Sequence, residues 1–318
     1  MRSITYERMC AAMKVGLIGL GAMGLPIGRR LLGAGHELFV VPHVHRAPAE
    51  ELAASGAHIA THASDLAGEC AVIVTSVPDV PQVQEVLFGD HGLSFAGDRD
   101  LLYIDTSTIN PTAAREHHGR LAKLGIEALD APVSGGPARA SDGTLTIMVG
   151  GSKEAIERGK PILSALGKHI IHVGEPGAGQ AVKLVNQLMI SIIMIANAEA
   201  LTLGVKAGVP LETLTEVIGT ASGSNYLMQS WLPKTLFAGE LGGGFALDLL
   251  MKDLSASVKW AADMGVPVFG GALALQLYRL AQTEGLGKMD YSAVARIYED
   301  AAGVELRNGQ GDANRSQV

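Results

Sequence analysis

A glycine loop between an apolar run and a helix-like segment places the strongest constraint on this fold. Gly19-Leu20-Gly21-Ala22-Met23-Gly24 is a G-x-G-x-x-G pattern that follows the apolar run 15–18 and opens a helix-like run. A strand, a tight glycine turn and a helix N-terminus direct backbone N–H groups and the positive end of the helix dipole toward a pyrophosphate. An ordinary strand-to-helix turn is the alternative. Because the full context is present, the loop predicts a dinucleotide site at Gly19, Leu20, Gly21, Ala22, Met23 and Gly24.

The segment after the second apolar run, 38–41, concerns the choice between NAD and NADP. In NAD-binding folds an acid about 20 residues after the glycines binds the ribose 2′-hydroxyl. Here His43, Val44, His45 and Arg46 occupy these positions, and none is an acid. A carboxylate repels a 2′-phosphate, whereas His43 and Arg46 can bind one. The segment therefore favours NADP over NAD. The alternative is that these residues form a solvent-exposed loop without a role in cofactor binding.

Short apolar runs alternate with helix-like segments over the first half of the chain. The runs are 15–18, 38–41, 71–74, 101–104 and 145–149, and helix candidates include 111–124 and 153–166. Continuous apolar runs are typical of parallel strands that are covered on both faces. The pattern predicts a doubly wound, Rossmann-type α/β domain over residues 13–175.

The pattern changes at the Gly/Pro-rich cluster 174–179. Beyond it, strand-like runs give way to long segments with helical spacing, at 182–207, 211–220, 245–264 and 272–283. We therefore predict an all-helical C-terminal domain over 176–307. Residues 1–12 and 308–318 lack a periodic apolar pattern and are predicted to be flexible ends.

Composition excludes several classes of protein. The 318 residues carry 25 Lys and Arg against 32 Asp and Glu, a net charge of −7, so no basic surplus exists for a nucleic-acid partner. Cys10 and Cys70 are the two cysteines, which fits a reducing cytoplasm rather than a disulfide framework. The most apolar stretch, 188–203, is short for a membrane span and includes Asn197 and Glu199. A soluble cytoplasmic protein is predicted, with no membrane partner.

Four blocks in the chain resemble the β-hydroxyacid dehydrogenases, the family of 3-hydroxyisobutyrate dehydrogenase. They are the glycine loop 19–24, Asp130-Ala131-Pro132-Val133-Ser134-Gly135-Gly136, the helix start 177–187 and Lys252-Asp253-Leu254. The resemblance extends from residue 13 to about residue 305. It implies hydride transfer between NAD or NADP and a small β-hydroxyacid or its semialdehyde.

The resemblance also implies roles for individual residues. Lys183 falls on the catalytic lysine of the family, and we expect it to point between the two domains and to exchange a proton with the substrate oxygen. Asn186 and Gln187 share its helical face and are expected to orient the substrate or the lysine, with an ordinary polar helix face as the alternative. Ser134, Gly135 and Gly136 are expected to hold the substrate carboxylate, since glycine lets backbone N–H groups approach an anion. The remaining implied cofactor contacts are Val77, Pro78, Thr108 and Lys252. Asp253 is expected to be structural.

Two features favour one branch of the family. Arg139, followed by Ala-x-Asp-Gly-Thr-Leu, and the Asn186-Gln187 pair resemble the enzymes that reduce tartronate semialdehyde (2-hydroxy-3-oxopropionate) to glycerate. Ala246 departs from that branch, which tends to have Arg there. A 3-hydroxyisobutyrate dehydrogenase, or another small semialdehyde reductase of the family, is the alternative substrate assignment. The alternative from another functional class is a non-catalytic NAD(P)-binding interaction protein. A 6-phosphogluconate-type decarboxylase is not favoured, because such enzymes have a longer chain with a larger helical domain.

Histidine pairs offer a metal hypothesis that the spacing does not favour. His43-x-His45 and His117-His118 lack the cysteine or carboxylate arrangement of known zinc motifs. We interpret them as loop and helix-surface histidines and predict no metal site. The apolar second domain predicts a homo-oligomer, either a dimer or a tetramer.

Overall fold

The computed structural model describes residues 12–96 and 100–308, which form two compact units. Unit 1 ends at Lys183 and unit 2 begins at Leu184. The predicted flexible ends lie outside the described residues except for Ala12 and Asn308. The amide of Asn308, the first residue of the predicted C-terminal end, donates a hydrogen bond to the carbonyl of Phe237 at 3.0 Å.

Among the described residues of unit 1, nine strands form a single sheet at its centre. Its order is β3-β2-β1-β4-β5-β6-β8-β7, with β9 paired to β8. The strands are β1 Lys14–Ile18, β2 Glu37–Val41, β3 His58–Ile59, β4 Val72–Thr75, β5 Leu102–Asp105, β6 Glu127–Asp130, β7 Val133–Ser134, β8 Leu145–Gly150 and β9 Gly167–Gly174. Strands β1 to β6 pair in parallel, and Leu17 of β1 lies between Val40 and Val74. The predicted doubly wound sheet is confirmed.

Strand β8 departs from the parallel pairing that its continuous apolar run favours. It pairs antiparallel with β6 and with β7, and parallel with β9. A parallel pair needs a crossover of about a dozen residues or more, and the short connection 135–144 between β7 and β8 does not supply one. The strands β3, β6, β7 and β9 escaped the sequence analysis because they are short or carry exposed polar residues, as β9 does at Lys168 and His169.

Helices cover both faces of the sheet. Unit 1 contains α1 Gly24–Gly33, α2 Ala47–Ala54, α3 Ala63–Glu69, α4 Val80–Phe88, α5 Pro111–Ala122, α6 Gly136–Asp142 and α7 Lys153–Leu166. Local capping explains where some of them begin: the Ser152 hydroxyl accepts from the Ala155 amide, and the Asn110 side chain accepts from the Thr112 amide. Two buried clusters lie on the two faces, one including Leu17 and the other Ile73.

Among its described residues, unit 2 has helices joined by turns and loops, with an isolated bridge between Ala246 and Asp290. Its helices are α8 Ala178–Lys206, which starts in unit 1, α9 Leu211–Thr220, α10 Leu247–Asp263, α11 Phe269–Thr283 and α12 Arg296–Ala302. They enclose a core that includes Met194, Leu254 and Tyr278. The predicted all-helical second domain is confirmed as part of the fold class.

Helix α8 is a single helix of 29 residues. By length and composition it could cross a membrane, with a mean hydropathy of 1.9 over its most apolar window. Met194, Ala198 and Leu201 are buried in the core of unit 2, as expected for the core helix of a globular protein. The division into units falls within this helix rather than at the cluster 174–179, because its first turns are bonded to unit 1.

Candidate active site

The three glycines of the loop 19–24 have different structural roles. Gly19 has a φ of +95°, and a β-carbon there would overlap the carbonyl oxygen of Ser76. A β-carbon at Gly24 would overlap the carbonyl oxygen of Gly19, so α1 can pack closely against the turn only with glycine at this position. A β-carbon at Gly21 would meet no atom within 4 Å. Gly21 therefore leaves an open cradle beside the N-terminus of α1, and the loop fits the pyrophosphate of a dinucleotide.

An open recess follows the carboxyl end of β2, where the adenosine end of a dinucleotide binds in folds of this type. Its lining includes His43 and Arg46, together with Pro42, Val44, Ile59, Ala60 and Thr61. The Arg46 side chain is exposed and lies 3.7 Å from the Glu50 carboxylate, one turn along α2. The recess thus offers cationic and imidazole groups to a ribose phosphate, with a carboxylate close to the guanidinium.

A buried polar network joins the ends of β4 and β5. The Asp105 carboxylate accepts hydrogen bonds from the Thr75 hydroxyl and the Ser107 amide, both at 2.9 Å. The Ser107 hydroxyl accepts from the Val77 amide at 2.9 Å. Burial raises the pKa of Asp105 to about 6, against the lowering effect of these hydrogen bonds. The network fixes the two loops that carry Val77, Pro78 and Thr108, the residues predicted to line the nicotinamide.

Sequence reasoning missed this network. Its signal was available in the printed sequence, because Thr75 and Asp105 are polar residues that end apolar runs of adjacent strands. Carboxyl ends of parallel strands meet at one edge of a sheet, which is where ligands bind in such folds.

The first turn of α8 is held by two elements of unit 1. The Asp130 carboxylate, at the end of β6, accepts from the Gly177 amide at 2.7 Å and the Gln180 amide at 3.0 Å. The Gln180 side chain accepts from the Ile109 amide at 3.0 Å and donates to the Ser107 carbonyl at 2.8 Å. Burial raises the pKa of Asp130, and the backbone N–H groups that it accepts from oppose that shift. The start of α8 is therefore fixed to the loop that carries Thr108.

The Ser134-Gly135-Gly136 turn connects β7 to α6. Gly135 and Gly136 have φ values of +136° and +69°, a conformation that favours glycine. A β-carbon at Gly135 would lie 2.6 Å from the Arg139 side chain, so the stem of that residue crosses the glycine. Ser134 is half-buried and Arg139 is exposed. The turn presents a hydroxyl and a guanidinium on one short segment of unit 1, both able to bind a carboxylate.

Lys183 lies on α8, three residues after Gln180, and is 7% exposed. Residues three and four apart share one face of a helix, and Gln180, Lys183, Gln187 and Ser191 are all buried. This stripe is polar and buried, whereas helix surfaces normally bury their apolar stripe. The burial of Lys183 in unit 1 makes it a candidate functional residue.

In unit 2 the buried Asp253 joins α10 to α8. Its carboxylate accepts from the Gln187 side-chain amide at 2.8 Å. Its other oxygen lies 2.9 Å from the Lys252 ammonium and forms an ion pair with it, without the angle of a hydrogen bond. The half-buried Asn186 donates to Gln187 at 3.1 Å. Within unit 2 the structure thus brings together Asn186, Gln187 and Lys252, and Asp253 connects residues predicted to bind substrate and cofactor.

The interpretation of His117 and His118 as helix-surface histidines is wrong. His117 is 3% exposed, packs against Phe88, and neither ring nitrogen has a hydrogen-bond partner. His118 lies 3.5 Å from the Asp130 carboxylate, with 12% of its side chain exposed. Burial lowers the pKa of each to about 4. Both lie on the inner side of α5, which the sequence analysis could not determine from an adjacent pair. Across residues 12–96 and 100–308, no three His, Cys, Asp or Glu side chains are grouped as metal ligands.

Two family models match the chain in succession. Residues 14–174 match the NAD binding domain of 6-phosphogluconate dehydrogenase, and residues 177–298 match a model described as the NAD-binding of NADP-dependent 3-hydroxyisobutyrate dehydrogenase. Together they cover most of the chain. NAD or NADP is therefore the cofactor, in agreement with the fit of the glycine loop.

Individual relatives match over almost their whole length. A 2-(hydroxymethyl)glutarate dehydrogenase of Eubacterium barkeri is 39% identical, covering 94% of this chain and 99% of that protein. An NAD-dependent L-serine dehydrogenase of Pseudomonas aeruginosa is 36% identical, covering 91% and 99%. The solved structure of Mycobacterium tuberculosis 3-hydroxyisobutyrate dehydrogenase with L-serine superposes with a TM-score of 0.83 at 32% identity, covering 90% of this chain and 99% of that one.

Proposed function

The chain belongs to the β-hydroxyacid dehydrogenase family, and from this premise we propose that it reduces tartronate semialdehyde to D-glycerate. Membership of the family makes it an oxidoreductase that uses NAD or NADP. The substrate and the role of each residue are our proposal. Arg139 beside the Ser134–Gly136 turn and the Asn186-Gln187 pair support this substrate over 3-hydroxyisobutyrate.

The start of α8 is the single observation that carries the proposal. Gln180 bonds to both sides of Thr108, and Lys183 follows one turn later on the same face, about 4.5 Å along the helix axis. The residue predicted to exchange the proton is therefore positioned by the same contacts as the loop predicted to hold the nicotinamide. Lysine is seldom buried to this extent, and its burial here supports the proposed role.

The chemistry follows from these placements. The reduced cofactor supplies a hydride to the aldehyde carbon when bound. The Lys183 ammonium donates a proton to the aldehyde oxygen as negative charge develops there, which leaves a neutral amine and a primary alcohol. Ser134 and the adjacent backbone N–H groups bind the substrate carboxylate, and Arg139 adds positive charge beside it. In the reverse direction the neutral amine accepts the alcohol proton.

NADP is the cofactor that we favour. Arg46 and His43 line the recess after β2, and no carboxylate ends that strand. The ion pair of Arg46 with Glu50 is between exposed side chains and is therefore weak enough for a 2′-phosphate to displace.

A substrate panel tests the assignment. Initial rates are measured with NADPH and NADH for tartronate semialdehyde, methylmalonate semialdehyde and succinate semialdehyde, and in reverse with 3-hydroxyisobutyrate. We expect the highest kcat/KM for tartronate semialdehyde. A higher value for the 3-hydroxyisobutyrate pair would select the alternative member of the family, and no turnover with any acid would favour a non-catalytic binding protein.

An exposed apolar surface in unit 2 supports a homo-oligomer. Phe269 is 84% exposed and Leu273 is 60% exposed on α11, and Met189 and Ile192 are exposed on α8. Gly270 of α11 lies against Ile192, so α11 and α8 are adjacent where these side chains are exposed. Apolar surfaces of this kind mark protein interfaces. We expect a dimer or tetramer by light scattering, and a smaller species after Phe269→Ser with Leu273→Ser.

A further inference from the structure

The side-chain amide of Gln180 bonds to the backbone on both sides of Thr108. Its oxygen accepts from the amide of Ile109 and its nitrogen donates to the carbonyl of Ser107. We propose that Gln180 is a positioning residue for cofactor binding, which fixes the backbone of Thr108 and couples it to the helix that carries Lys183. The proposal rests on the roles given above to Thr108 and Lys183.

The geometry leaves Gln180 little freedom. Its side chain is fully buried, and its own backbone amide donates to Asp130. An amide that is bonded at both ends selects one backbone conformation, because a rotation about Thr108 would break at least one of the two hydrogen bonds. Loss of the Gln180 amide leaves the Ser107 carbonyl and the Ile109 amide without this hydrogen-bond partner. Buried peptide groups without a partner raise the free energy of the folded state, so this loop conformation is destabilised.

The contact extends beyond one loop. The Ser107 hydroxyl accepts from the Val77 amide, so the peptide that Gln180 binds also supports the loop after β4. On the other side, Gln180 and Lys183 are neighbours on one face of α8. A single amide therefore connects three elements to which we assign cofactor and proton-transfer roles: the Val77 loop, the Thr108 loop and the Lys183 helix.

Gln180→Glu separates hydrogen bonding from packing, because it keeps the shape and changes one donor. The introduced carboxyl group, when protonated, can donate its O–H to the Ser107 carbonyl and accept from Ile109, as the glutamine does. The ionised form cannot donate and directs a negative oxygen at that carbonyl. Burial disfavours the charged form, so this change of state occurs well above the usual carboxyl range.

Several titratable groups lie around this position. Asp105 bonds to the Ser107 amide and Asp130 bonds to the Gln180 amide. His118 faces Asp130, and Lys183 follows on α8. Any effect of these groups on binding is present in the wild type as well, so the informative quantity is the ratio of the variant Kd to the wild-type Kd at each pH.

The experiment is a fluorescence titration of the full-length protein with NADH and NADPH between pH 6.5 and pH 9. The variants are Gln180→Glu, Gln180→Met and, as a matched control, Gln229→Glu, whose native amide donates to the Gly219 carbonyl in unit 2. We expect the Kd ratio of Gln180→Glu to rise about tenfold across this range, the size of one lost buried hydrogen bond. We expect Gln180→Met to bind about tenfold more weakly at every pH, and the control to match the wild type.

Two results would overturn the proposal. One is wild-type cofactor affinity in Gln180→Met, and the other is a pH-independent ratio for Gln180→Glu beside a weakened Gln180→Met, which would assign the effect to packing. Thermal unfolding at each pH shows whether a variant is folded. If Gln180→Glu is unfolded, the cofactor affinity of Gln180→Met tests the proposal. The titration requires no substrate, so an error in the assignment of the substrate leaves this test unaffected.

Discussion

The buried carboxylate of Asp253 accepts a hydrogen bond from the side-chain amide of Gln187 at 2.8 Å. The same carboxylate pairs with the ammonium of Lys252, its neighbour on α10. The family resemblance led us to expect a structural role for Asp253, and these two contacts indicate which side chains it orients. Asp253 orients one residue proposed to face the substrate and one proposed to reach the cofactor.

We predict that Asp253→Asn lowers kcat/KM about tenfold and raises the KM for the cofactor. The introduced amide is neutral and cannot form an ion pair with the Lys252 ammonium, although its oxygen can still accept the hydrogen bond from Gln187. Steady-state kinetics with varied cofactor would measure the effect. Asp263→Asn, an exposed position on the same helix, serves as the control and should behave as the wild type. Unchanged cofactor KM in a folded Asp253→Asn would contradict the orienting role.

Lys183→Ala should lower kcat by a factor of about 10² to 10⁴, the usual contribution of a positioned acid or base. The proposed role of Lys183 is proton transfer to the substrate and not cofactor binding, so the Kd for the cofactor should change by less than about threefold. Stopped-flow rates of NADPH oxidation and a fluorescence titration give the two quantities. Lys206→Ala, at the exposed end of the same helix, is the matched control. Turnover retained in Lys183→Ala would remove the proposed proton donor.

The sequence patterns predicted those elements of the fold that depend on residues close together in the chain. Gly19 and Gly24 were recognisable because a strand and a helix flank them, and α7 and α9 have the bounds that their helical spacing predicts. Pairing across the sheet depends on which strand is adjacent, which a local pattern does not contain, and so the antiparallel contacts of β8 were missed. The role of Gln180 was missed for the same reason, because its partners at 107 and 109 are distant in sequence.

His117 should make stability depend on pH. Burial, aided by Arg120, lowers its pKa to about 4, against roughly 6.5 in an unfolded chain. The folded state then binds fewer protons between these values, so the free energy of unfolding falls as the pH drops from about 6.5 to about 4. The phenylalanine of His117→Phe can pack on Phe88 and does not titrate. This variant should therefore avoid a decrease in the free energy of unfolding of up to about 3 kcal/mol. The raised pKa of Asp105 has the opposite effect on the free energy of unfolding, and this effect is the same in the wild type and the variant.

Urea denaturation of wild type and His117→Phe at pH 7, 5.5 and 4.5 measures this difference. The control is His169→Phe, the same change at an exposed position of β9. We expect the curves for wild type and control to fall together with decreasing pH, and that for His117→Phe to fall less. Parallel curves for all three proteins would show that His117 titrates as an ordinary exposed histidine.

Arg46→Ala should discriminate between the two cofactors. The guanidinium lines the recess after β2, where it can bind a 2′-phosphate through charge-assisted hydrogen bonds worth about 1.5–3 kcal/mol. We therefore expect the KM for NADPH to rise at least tenfold and the KM for NADH to change less than about twofold. Arg29→Ala is the control, because Arg29 is also exposed and paired with a glutamate, Glu51. An equal change with both cofactors would place Arg46 away from the phosphate, and a wild-type preference for NADH would reverse our cofactor assignment.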